Sequence, residues 1–160
     1  MTMKQPPYKA PEFTLPDETG TLHMLAEYAG KWVVVYFYPK DDTPGCTVEA
    51  CSLRDARDEL VELGAEVIGI SKDDSSSHDK FKSKYSLNFT LLTDKDGVAM
   101  EAYGAWGKKQ FGKEGVLRKT FIIDPQGIVQ KVYGRVTPLG HGEKVIEDLK
   151  ALQSTSVHEV

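Results

Sequence analysis

Seven apolar residues in a row, Trp32 to Tyr38 in "KWVVVYFY", leave little freedom in where their segment can lie. The run is β-branched and aromatic and shows no polar alternation, so it reads as a strand buried on both faces, near the centre of a sheet. Such a strand needs a layer of structure on each side. The next segment supplies one. Pro44 to Leu63 carries Leu53, Ala56, Leu60 and Leu63 at spacings of three and four and ends at Gly64, the pattern of an amphipathic helix with a glycine stop.

The rest of the chain continues the alternation. "EFTLPDETGTLHML" predicts an N-terminal hairpin around Glu18-Thr19-Gly20, and "AEVIGISK" and "NFTLLTD" predict two further buried strands. Between them "SSSHDKFKSKY" predicts a short serine-capped helix with Phe81 and Tyr85 four apart. A turn at Lys95-Asp96-Gly97 leads to a helical turn or two over Val98 to Tyr103. "VLRKTFIID" and "GIVQKVYGRV" predict a hairpin closed by Pro125-Gln126-Gly127, and Val145, Ile146, Leu149 and Leu152 mark a last helix. A polar tail is expected over 154–160. The order βαβ then ββα implies an α/β fold of thioredoxin-like type: a central mixed β-sheet flanked by helices, with the hairpin as an N-terminal extension. With 160 residues and no repeat or linker, 1–160 reads as one domain.

Composition narrows the function. Hydrophobic residues at 40% and charged residues at 28% are those of a globular protein. A net charge of -4 and scattered lysines give no footprint for a phosphate backbone, so nucleic acid is not an expected partner. The longest apolar run is far below the roughly 20 residues a membrane span needs. The first residues show no signal-peptide core and no arginine-rich transit pattern, which points to the cytoplasm.

The chain has two cysteines, Cys46 and Cys51, both on the Pro44 to Leu63 helix. Thr43 before Pro44 predicts the helix start, with the hydroxyl capping free N–H groups and proline at the first helical position. Cys46 then falls in the first turn, where the helix dipole and unpaired N–H groups favour thiolate over thiol. It lies above Ala50, Leu53 and Leu60, the sheet-facing side. Cys51 shares a stripe with Asp55, Asp58 and Glu62 and is expected to be exposed, among carboxylates that oppose a second negative charge. This makes Cys46 the reactive nucleophile and Cys51 the second thiol. Five helical residues separate their Cα atoms by about 8.7 Å, while a disulfide needs less than about 7 Å. Any bond between them requires the helix start to unwind. The histidines, His23, His78, His141 and His158, are dispersed and make no metal site with the cysteines. A CxxC reductase motif fails because Glu49 occupies the third position after Cys46, and a phosphatase loop fails at Ser52.

These residues carry a resemblance. "PKDDTPGCTVEAC" is similar to the active-site loop of the peroxiredoxins, in the peroxiredoxin Q or bacterioferritin comigratory protein branch. Pro39, Thr43 and Cys46 match its P-x-x-x-T-x-x-C pattern, Cys51 matches this branch's resolving cysteine, and the similarity runs from "APEFTLPD" to "RKTFIIDPQG". The resemblance implies a peroxidase with no metal, haem or flavin cofactor. In it, Cys46 attacks a hydroperoxide and becomes a sulfenic acid, and Cys51 condenses with it to an intramolecular disulfide. Thioredoxin then reduces that bond, with glutaredoxin as a second candidate reductant. Arg118 in "RKTFIID" would stabilise the thiolate and the shifting charge, Thr43 would hydrogen-bond substrate, and Pro39 would shield the thiolate. Glu49 reads either as tuning the site or as an ordinary first-turn acid. Trp106 and Phe111, in the glycine-rich loop "YGAWGKKQFGKEG", read either as walling the peroxide pocket or, the commoner case, as aromatics pinning that loop to the core. An internal resolving thiol implies a monomer. The rival reading is a redox-sensing or holdase-like interaction protein that oxidises once and stops; a general disulfide reductase is a third.

Overall fold

The computed structural model describes residues 5–109 and 112–157, the last three of them by backbone alone. Ten strands and four α-helices follow in chain order. They are β1 (Tyr8–Lys9), β2 (Thr14–Pro16), β3 (Leu22–Met24), β4 (Trp32–Phe37), α1 (Pro44–Glu62), β5 (Ala65–Ser71) and α2 (Ser75–Tyr85), then β6 (Thr90–Thr93), α3 (Val98–Tyr103), β7 (Trp106–Lys108), β8 (Glu114–Val116), β9 (Lys119–Ile123), β10 (Ile128–Tyr133) and α4 (His141–Val157).

The main sheet has six strands in the order β1-β10-β9-β4-β5-β6. Strands β4, β5 and β6 run parallel, while β9 pairs antiparallel to β4 and β10 antiparallel to β9. The apolar run is therefore central, and its alternation splits it between two cores. Val34, Tyr36 and Tyr38 pack with Cys46, Ala50, Leu53 and Leu60 of α1, Phe81 of α2, and Val145 and Leu149 of α4. Val33, Val35 and Phe37 face the other way, onto Ala99, Met100 and Tyr103 of α3 and onto Phe13 and Leu25. This is the mixed sheet with helices on both faces that the element order implies. One glycine sets a close approach: a Cβ on Gly69 of β5 would stand 2.8 Å from the Tyr36 ring beside it.

The hairpin of β2 and β3 forms as expected, its turn held by Asp17, whose carboxylate accepts from the N–H groups of Thr19 and Thr21. Four details differ from the sequence reading. The cap of α2 is Asp74, which accepts from Ser77 N–H, and not a serine, because the helix already begins at Ser75 and so leaves Asp74 at the N-cap position. The glycine-rich loop contains a hairpin, β7 paired with β8. The two-residue strand β1 extends the sheet edge at β10. Helix α4 continues to Val157, past the point where the polar tail was expected to begin. Among the described residues, no helix is long and apolar enough to cross a membrane.

Candidate active site

The end of β4 delivers the chain into a tight loop and then into α1. Pro39, half-buried, follows β4 directly, and Asp41 is buried just beyond it. The Asp41 carboxylate accepts from Tyr38 Oη at 2.6 Å and Ser77 Oγ at 2.8 Å, and its Oδ2 lies 2.7 Å from His78 Nδ1. Asp42 holds a left-handed φ of 57° and accepts from Lys84 Nζ and Tyr85 Oη. The loop is thus tied to α2 at two consecutive residues.

Thr43 occupies the N-cap position but does not cap with its side chain. Its hydroxyl donates instead to the Lys40 carbonyl at 2.8 Å, while its own carbonyl accepts from Thr47 N–H to open the helix. The expected hydroxyl cap is therefore corrected: the hydroxyl closes the preceding turn, and the first-turn N–H groups, which have no intrahelical acceptor, are left without it.

Cys46 is 1% exposed and sits in the first turn against the sheet, as its helical position implies. Arg118 lies just before β9 rather than within it. Its Nη2 donates to Cys46 Sγ at 3.3 Å and its Nη1 to Glu49 Oε1 at 2.6 Å. Gly45 makes room for this, since a Cβ there would stand 3.1 Å from Nη2. Burial works against the charge on Arg118, but Cys46 and Glu49 outweigh it and raise its pKa. Cys51 is half-buried, not exposed as expected. It borders a groove between α1 and α4 with Val48, Leu139 and Ile146, because α4 packs along this side of α1. Both thiols are free.

Two further residues complete the site: Glu49, for which the sequence left a tuning role open, and His141. Glu49 is fully buried; burial pushes its carboxyl up to about 7, against the opposing pull of Arg118. His141, at the start of α4, hydrogen-bonds Thr120 Oγ1 at 2.8 Å and approaches Glu49 Oε2 to 4.0 Å. Burial, and then Arg118, push its pKa down to about 4, so it is neutral at physiological pH. Glu49 carried a sequence signal, an acid on the buried stripe between Cys46 and Leu53; His141 carried none. Trp106 packs on the core across the sheet, with Lys72 over its ring, and Phe111 lies outside the described residues. Among the described residues no cluster of three potential metal ligands occurs.

A buried thiol accepting from an arginine at a helix start is a site for sulfur chemistry, and comparison with known proteins identifies the family of the chain. Residues 6–132 match the model of the AhpC/TSA family. The chain belongs to this family, in its peroxiredoxin Q/Bcp branch. It is 45% identical over 144 residues to peroxiredoxin Bcp of Escherichia coli, covering 88% of this chain and 92% of that one. To peroxiredoxin Bcp of Bacillus subtilis it is 44% identical over 145 residues, covering 89% and 92%. Among solved structures, peroxiredoxin Q of Xanthomonas campestris superposes with a TM-score of 0.83 at 37% identity, covering 87% of this chain and 90% of that one. A second structure, of the X. campestris bacterioferritin comigratory protein and concerned with its alkyl peroxide reduction activity, gives 0.82 at 37% identity over the same shares. The fold expected from the sequence is that of these neighbours, and the chain is a thiol-dependent peroxidase.

Proposed function

We propose that Cys46 is the peroxide-reducing nucleophile and Cys51 the thiol that resolves it, in a hydroperoxide reductase recycled by an external dithiol protein. The observation that carries this reading is the Arg118 fork, one nitrogen 3.3 Å from Cys46 Sγ and the other 2.6 Å from Glu49 Oε1. A fixed cation stands beside the sulfur, where charge moves from sulfur to the leaving oxygen. The thiolate takes the terminal oxygen of the peroxide, the O–O bond breaks, and water or an alcohol leaves once the departing oxygen is protonated. First-turn N–H groups, free of the Thr43 hydroxyl, are available to hold a peroxide oxygen, and shielding of the thiol is the role proposed for Pro39. Alkyl hydroperoxides join hydrogen peroxide as substrates, by analogy with the Xanthomonas protein.

Cys51 then attacks the sulfenic acid and releases water. Both cysteines lie inside one continuous helix, so the first turns of α1 unwind for this step. Thioredoxin is the proposed reductant, with glutaredoxin second, and the enzyme works as a monomer in the cytoplasm. The test is stopped-flow reaction of the reduced protein with one equivalent of hydrogen peroxide, with thiol counting, followed by steady-state turnover with thioredoxin. Wild type should lose both thiols rapidly and turn over. Cys51→Ser should keep the first oxidation and lose thioredoxin-supported turnover. A single oxidation of wild type with every reductant would instead favour the interaction-protein reading.

A further inference from the structure

Glu49 lies between the two cysteines, three residues after Cys46 and two before Cys51. It is fully buried, and its Oε2 has no hydrogen-bond partner. The titratable and charged groups facing it come from every element packed around it. Arg118 reaches it from before β9 and His141 from α4; Tyr36, whose buried hydroxyl is also unpartnered, acts on it from β4, and Cys46 lies on its own helix. One guanidinium thus serves two potential anions, Cys46 Sγ and Glu49 Oε1, and His141 adds no second cation at neutral pH. Two anions against one buried cation are unfavourable, so the shared guanidinium and the burial together favour a protonated Glu49 in the reduced protein below about pH 7.

The disulfide changes this balance. The turns of α1 that must unwind for Cys46 and Cys51 to meet are the turns that bury Glu49, since the ring they close contains it. We propose that Glu49 releases its proton each time the Cys46–Cys51 disulfide forms and takes one back when the disulfide is reduced, so that it is a proton-exchanging residue of the catalytic cycle. This rests on the roles given to the cysteines above. The step balances: the Cys46 thiolate, the Cys51 thiol, the Glu49 carboxylic acid and hydrogen peroxide give the disulfide, the Glu49 carboxylate and two waters. The two sulfurs lose two electrons, the peroxide gains them, and no proton is drawn from solution. Without an ionisable group at this position, the same oxidation draws one proton from solution.

The raised Glu49 value of about 7 in the folded, reduced chain, against 4.5 for an ordinary glutamate, sets the window. Between these values the reduced protein holds a proton that the unwound, oxidised protein does not. The deciding experiment is an oxidised-minus-reduced infrared difference spectrum at about pH 6, with thiols counted on the same sample. Wild type should lose a protonated-carboxyl C=O band, and Glu49→Gln should show no such loss. A weakly buffered dye assay, with thiolate absorbance fixing the charge of Cys46 beforehand, should find one more proton taken up per disulfide in Glu49→Gln than in wild type. Should that variant not fold, wild type alone decides, because the band loss present at about pH 6 should vanish at about pH 8. An unchanged carboxyl band in wild type that has lost both thiols overturns the proposal. If peroxide leaves both thiols intact, the cysteine roles themselves fail and the proposal falls with them.

Discussion

Arg118 binds two atoms with two nitrogens of one planar group, a task that lysine, a point charge, cannot reproduce. Arg118→Ala should lower the rate constant for peroxide about 100-fold, the scale seen when a preorganised donor to a charged transition state is removed. Arg118→Lys should recover only part of it, because one ammonium must choose between Cys46 and Glu49. Stopped-flow oxidation checks both. A subtler change tests the geometry alone. Gly45→Ala puts a methyl 3.1 Å from Arg118 Nη2, which must retreat by a few tenths of an ångström. The fold should survive, and the oxidation rate should fall about tenfold through misplacement. An unaltered rate in Gly45→Ala would mean that the arginine tolerates displacement and that the fork is not tightly tuned.

Helix α1 is held at both ends of its reactive segment. Before Pro44, Asp41 and Asp42 tie the loop to α2; just after Cys51, the Gly142 N–H of α4 donates to Ser52 Oγ at 2.7 Å, beside the fully buried Leu53. A Cβ on Gly142 would stand only 2.3 Å from the Ser52 carbonyl oxygen. Alanine in place of helical glycine normally gains about 1 kcal/mol, but here the clash is with backbone and costs about 1–3 kcal/mol or more. Gly142→Ala should therefore lower the denaturation midpoint, not raise it. Much of this architecture was legible in the sequence. The unalternated run of β4 and the three-four spacing of α1 announce burial pattern and layer order, and the first-turn position of Cys46 announces its buried side. What stayed hidden depends on contacts between distant residues. His141 meets Glu49 only because α4 docks on α1, and Thr43 turns its hydroxyl to Lys40 because the tied loop puts that carbonyl within reach. The strands β1, β7 and β8 are two or three residues long, too short for a period to show.

Across the whole molecule, two buried groups in contact pull the pH dependence of stability in opposite directions. Glu49 has a folded-state value of about 7, above its ordinary 4.5, so the folded chain binds the extra proton between those values and stability falls as pH rises through them. His141 has a folded-state value of about 4, below its ordinary 6.5, so the unfolded chain binds the extra proton and stability rises over pH 4 to 6.5. Each slope approaches about 1.4 kcal/mol per pH unit where one state is protonated and the other is not. From about pH 4.5 to 6.5 the two contributions cancel, and this pair leaves wild-type stability nearly flat. Each single variant should expose the slope of its partner. Glu49→Gln removes the falling term, so its stability relative to wild type should increase as pH rises from about 4.5 to 7 and then level off. His141→Gln, which can still hydrogen-bond Thr120, should show the reverse, losing stability relative to wild type as pH rises from about 4 to 6.5. Urea denaturation of the three reduced proteins across this range measures it. Parallel curves would mean that neither group keeps its shifted protonation in the folded state, and that the pocket beside Cys46 is wetter than its burial implies.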